Sequence, residues 1–99
     1  MDLGLMQSNV REASSLLKSL SNPSRLLVLC ALVNRKHTVS ELEALTGLSQ
    51  SAISQHLARL REEHLVATER AAQRIYYSLS SERAKAVLET LHGIYCARH

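Results

Sequence analysis

A chain of 99 residues is expected to form one small domain. A fold of that size buries only about 60–65% of its unfolded surface, so self-association would help stabilise it. A hydrophobic share of 45% argues against disorder, a net charge of +3 suits an anionic partner, and the sequence has neither a long apolar run nor a signal-peptide pattern, so no membrane role is expected and the cytoplasm is the expected compartment.

Residues 1–7 read as a loose start. From Ser8 to Leu20, Val10, Ala13, Leu16, Leu17 and Leu20 recur at helical spacing and predict a first helix. Asn22 is placed to cap a second helix, with Pro23 in its first turn. That helix carries Leu26, Leu27, Leu29, Cys30, Leu32 and Val33, is apolar around most of its circumference, and is expected at the centre of the domain. A polar loop, Asn34 to Thr38, follows. Ser40 and Glu43 then match a capping box, which predicts a third helix from Glu41 with Leu42 and Leu45 as its apolar positions. Gly47 sits where a helix end needs a left-handed residue, and Ser49 can cap a fourth helix striped by Ile53, Leu57 and Leu60. Two short helices joined by a turn containing Gly form a helix-turn-helix pattern.

After His64 the period changes to two. Val66 to Arg70 reads as a strand, Ala71-Ala72-Gln73 as a turn without the usual Gly or Asn, and Arg74 to Leu79 as a second strand. A hairpin directly after a recognition helix is a wing. Ser80 is expected to cap a last helix striped by Ala84, Val87, Leu88, Leu91, Ile94 and Tyr95. The expected fold is mainly α with a β-hairpin wing, in the order α-α-α-α-β-β-α, as one domain over 1–99.

The fourth helix presents Gln50, Ser51, Ser54 and Gln55 away from its apolar stripe. Such small and amide side chains can reach base edges and phosphates in a major groove, although an ordinary helical hairpin also has a polar outer face. Arg59 and Arg61 on the same helix are candidates for phosphate contacts. Arg70 and Arg74 flank the wing turn and are candidates for tracking a minor groove. No phosphate-cradling Gly loop occurs and the thiols lack an adjacent base, so neither catalysis nor a cofactor is expected.

Cys30 and Cys96 are the two cysteines. In a cytosolic chain they argue against a structural disulfide. Alone, Cys30 among leucines reads as a small buried hydrophobe. Cys96 stands beside Tyr95 and Arg98, where the Arg would lower a thiol pKa and the helix C-terminus would raise it. His92, Cys96 and His99 could approach one another, but two thiols do not complete a zinc or arsenite site, so no metal site is assigned. His56 is expected to be packed or phosphate-facing, and His37 and His64 to be solvated. Gly93 lies inside the last helix, where it would permit close helix approach or mark fraying.

Asn-Pro-Ser-Arg-Leu at 22–26, Ser-Gln-Ser-Ala-Ile-Ser-Gln-His-Leu at 49–57, Leu-Val at 65–66 and Tyr-Tyr-Ser-Leu at 76–79 resemble the ArsR/SmtB family of bacterial repressors, over about residues 9 to 96. Ala72-Gln73-Arg74-Ile75-Tyr76-Tyr77, Leu29-Cys30 and Tyr95-Cys96 are most similar to its HlyU-like and BigR-like branch. The resemblance implies a homodimer joined by the first and last helices, binding of double-stranded operator DNA, and transcriptional control released by an inducer. Many members carry a Cys-x-Cys metal motif at the start of the third helix, whereas Ser40 to Leu45 here contain no Cys. In the BigR-like branch the positions of Cys30 and Cys96 form a sensing dithiol, which implies reactive sulfur species or an oxidant as inducer. The alternatives are a constitutive anti-silencer without thiol sensing, as in HlyU-like relatives, and a metal-responsive repressor.

Overall fold

The computed structural model describes residues 1–96. It contains the expected elements in the expected order: α1 (Leu3–Leu20), α2 (Pro23–Ala31), α3 (Val39–Thr46), α4 (Gln50–Glu62), β1 (Val66–Ala71), β2 (Arg74–Leu79) and α5 (Glu82–Tyr95). The fold is a mainly helical winged helix-turn-helix.

α1 begins five residues before the predicted start. Asp2 caps it, its side chain accepting the Leu5 N–H at 3.1 Å. The first turns are exposed, so this extension has no inward-facing apolar stripe to announce it. Asn22 caps α2 as expected and accepts the Arg25 N–H at 2.9 Å. α2 packs between α1, α3 and α4 through Val28 and Leu29. It is not covered all round, because Leu27 and Cys30 face outward.

α3 starts two residues earlier than predicted, and its capping box is Thr38 with Glu41, not Ser40 with Glu43. The Thr38 hydroxyl accepts the Glu41 N–H at 3.2 Å, and Glu41 Oε1 accepts the Thr38 N–H at 3.0 Å. The cause is tertiary. The backbone of His37 pairs with Tyr77 in both directions, at 3.0 and 2.7 Å, so the extended segment ends there and Thr38 is the first residue able to turn. Leu42 is buried as expected, but Leu45 is exposed. Val39 and Leu48 fill the flanking core positions instead.

Gly47 has φ of +74°, the left-handed value its position requires. Ser49 caps α4, and Ile53, Leu57 and Leu60 form its buried stripe. α4 ends in a Schellman motif. The Leu65 N–H reaches the Leu60 carbonyl, the His64 N–H reaches the Arg61 carbonyl, and His64 itself takes the left-handed position with φ of +61°.

β1 and β2 pair antiparallel from Val66↔Leu79 to Ala71↔Arg74. The connecting loop is therefore Ala72-Gln73, with β1 one residue longer than expected, and Ala72 adopts a φ of +56°. Ser81, not Ser80, caps α5. Ser80 is engaged elsewhere: its N–H donates to Leu65 and its hydroxyl to the His64 carbonyl, closing the base of the wing. Along α5, Ala84 and Leu88 are buried, Val87 and Leu91 are half-buried, and Ile94 and Tyr95 are exposed.

Candidate nucleic-acid interface

The Thr38 box, the left-handed Gly47 and the Ser49 cap set α4 against α3 with one face buried. Residues four apart share a helix face, so Gln50, Ser54 and Ala58 form one outward row and Ser51, Gln55 and Arg59 another. All six are exposed. The four expected base-reading residues therefore lie together on one open face. Ala58, passed over in the sequence, extends it with a side chain too short to block approach. Amide and hydroxyl groups on such a surface offer both donors and acceptors, as base edges require.

The four expected arginines do not form one cluster. Arg59 and Arg61 occupy the last turn of α4, where they also complement the helix dipole. Arg59 Nε stands 3.7 Å from Glu63 Oε2, so part of its charge is already matched. Arg61 makes no ion pair among the described residues. Arg70 pairs with Ile75 and Arg74 with Ala71. Paired residues share a face and neighbours along a strand alternate, so Arg70 and Arg74 point to opposite sides of the wing tip.

The histidines divide differently from expectation. His64 is exposed, as expected, but His37 is buried, with Nδ1 3.2 Å from Glu41 Oε1. The backbone N–H of Thr38 chiefly holds the Glu41 carboxyl below its ordinary range, helped by His37 and Arg35 and opposed by desolvation. His56 is half-buried. Burial, then Arg25 and Arg59, lower its pKa and favour the neutral ring. Arg25 is the structural residue that sequence reasoning missed. It is 6% exposed, and its Nε and Nη2 donate to the carbonyls of Ser19 and Lys18 at the end of α1.

Cys30 lies in the last turn of α2 and Cys96 is the C-cap of α5. Both thiols are free and exposed, so the buried-hydrophobe reading of Cys30 fails. Partial desolvation raises the Cys30 pKa, and a thiolate at Cys96 raises it further. The two cysteines stand 66 positions apart in the chain. Arg98 and His99, considered beside Cys96 in the sequence, lie outside the described residues. Among the described residues no three His, Cys, Asp or Glu side chains are grouped to hold a metal ion. No helix among them is long and apolar enough to cross a membrane.

Residues 22–68 match the bacterial regulatory protein arsR family. The chain is 47% identical over 96 residues to the HTH-type transcriptional regulator YgaV of Escherichia coli K12, covering 96% of this chain and 97% of that protein. It is also 47% identical over 96 residues to the transcriptional activator HlyU of Vibrio cholerae, covering 97% of this chain and 89% of that protein. Its backbone superposes on the transcriptional repressor BigR from Xylella fastidiosa with a TM-score of 0.92 at 38% identity, over 99% of this chain and 100% of that one. These relatives are transcriptional regulators and not enzymes, and with them the chain belongs to the ArsR family of DNA-binding regulators.

Proposed function

We propose that the chain acts as a homodimeric repressor whose hold on operator DNA is released when Cys30 and Cys96 become linked. α4 would read the major groove through Gln50, Ser51, Ser54 and Gln55. Arg59 and Arg61 would contact phosphates, and Arg70 and Arg74 would flank the adjacent minor groove. α1 and α5 would join the two copies. The observation behind the thiol reading is that both cysteines are free and exposed, at the ends of α2 and α5, with the charge of Cys96 adding to the rise of the Cys30 pKa.

A polysulfide supplies the chemistry without a metal. A cysteine thiolate attacks a sulfane sulfur, forming an S–S bond and expelling a shorter polysulfide. A second such transfer leaves a terminal hydrosulfide on a two-sulfur arm. The other thiolate then displaces that group as hydrosulfide, giving a trisulfide. The two thiols have lost two electrons and two protons, and the sulfane sulfur has been reduced. A peroxide would make the direct disulfide instead, with water as the reduced product, and only if the Cα atoms come within about 4.4–6.8 Å.

Mass spectrometry of polysulfide-treated protein should find an intramolecular Cys30–Cys96 link containing added sulfur. Cys30→Ser should not form it and should stay bound to DNA under the same treatment. Since burial, and then the charge of Cys96, hold the Cys30 thiol above the ordinary thiol range, linking should accelerate as pH rises. Linked protein that binds DNA unchanged would refute the switch. The activator name of the Vibrio cholerae relative favours a second reading, in which the chain binds DNA constitutively and displaces silencing proteins. Under that reading Cys30→Ser and the native protein regulate alike.

A further inference from the structure

The tip of the wing has little to hold it. Residues 69–75 are all exposed. A cleft of about 490 Å³ lies between β2 and the start of α3, lined by Thr38, Glu41, Arg74 and Ile75 among others. Against this looseness, one side chain of the α2–α3 loop reaches across the hairpin. The backbone of His37 pairs with Tyr77 along the free edge of β2. Successive residues of an extended segment point to opposite faces, so while His37 goes under the hairpin into the core, Lys36 goes over it. Its ammonium sits 5.0 Å from the centre of the Tyr76 ring and pairs with the Glu69 carboxylate. Glu69 and Tyr76 are direct partners across β1 and β2. One ammonium therefore spans both strands at the point where the exposed half of the wing begins.

We propose that Lys36 is a positioning residue for DNA binding, a clamp that holds the wing at the angle at which its tip meets the duplex. The proposal rests on the reading of Arg70 and Arg74 as DNA contacts. Lys36 acts through Glu69 and Tyr76 and does not itself touch a phosphate. When only a fraction of molecules holds the wing in place, apparent affinity falls by that fraction. The Lys36 and Glu69 side chains are 46% and 56% exposed. The clamp is thus worth a few-fold in affinity rather than all of it.

The test is a double-mutant cycle on DNA binding, with Lys36→Met, Glu69→Gln and both together. The probe is a duplex that the native protein selects from a random library, titrated over a range of salt. Each single variant should weaken binding by about two- to five-fold, as loss of an exposed pair and cation–π contact predicts. The double variant should be hardly weaker than either single one, because one clamp can be lost only once. The salt slope of Lys36→Met should equal that of the native protein.

Additive effects overturn the clamp. So does tighter binding by Glu69→Gln, which is what removing a negative charge near DNA does by itself. A salt slope reduced by about one unit makes Lys36 a phosphate contact instead. Arg70→Ala and Arg74→Ala separate this failure from a failure of the wing reading. If both bind DNA as the native protein does, the wing reading falls and the clamp with it. If they weaken binding while the cycle is additive, only the clamp falls.

Discussion

Arg25 is a buried guanidinium with no carboxylate partner among the described residues. The end of α1 supplies what a carboxylate would. The Ser19 carbonyl accepts from it, the Lys18 carbonyl, which also accepts from Ser21, adds a longer contact, and the negative end of the helix dipole faces its charge. Arg25→Met keeps the bulk and removes the donors. It should destabilise the fold by about 1.5–3 kcal/mol, the range for hydrogen bonds to a charged group, as read from urea unfolding. A loss within experimental error would mean that water satisfies the Ser19 carbonyl, the Lys18 carbonyl keeping its bonds from Ser21. Nothing local in the sequence marks this role, because the acceptors are main-chain atoms six and seven positions upstream. Lys36 was silent for a stronger form of the same reason, its partner Glu69 being 33 positions away. The exposed polar residues of α4 were legible, since a helix with one buried stripe has to turn the opposite face outward.

At the scale of elements, local signals located each helix and strand, and tertiary contacts moved their ends. Two overlapping capping boxes compete at α3, Thr38 with Glu41 and Ser40 with Glu43. The β2 edge selects the first by pairing with His37. Thr38→Ala should therefore cost about 1 kcal/mol of stability, whereas Ser40→Ala should be close to neutral. Thermal or urea unfolding of the two variants checks this, and equal losses would contradict the assignment. The same competition displaced the α5 cap from Ser80, which is tied to His64 and Leu65, to Ser81. Two turns hold non-glycine residues at positive φ: that of Ala72 at the wing tip was legible from the change between strands, while that of His64 after α4 was not. Glycine is the usual marker of such positions, and the sequence offers it only at Gly47.

For the molecule as a whole, the apolar residues left uncovered are the informative ones. Leu17 on α1 is 59% exposed and Ile94 on α5 is 66% exposed, and Val10 and Tyr95 are also open. The apolar stripes of α1 and α5 were legible from periodicity. Which of their residues the chain itself covers, Leu20 and Leu88 but not Leu17 and Ile94, was not, because spacing gives the face of a helix and not what covers it. On the dimer reading these residues meet their copies. Leu17→Glu and Ile94→Glu should then leave the single chain folded, since both positions are exposed in it, and should shift the sedimenting species from dimer to monomer. A native protein that sediments as a monomer would remove the basis for two reading heads on one operator. Heads set for successive major grooves must sit about 34–36 Å apart. A link between the ends of α2 and α5 can alter that spacing only if α5 also belongs to the interface.

DNA affinity measured on one preparation in three states, reduced, polysulfide-treated and reduced again, tests the switch most directly. The switch requires a difference in affinity between the linked and free forms. Affinity should fall on treatment, in step with the linked mass, and return when a thiol reductant removes the link. Equal affinity in all three states, with the link present in the second, would contradict it.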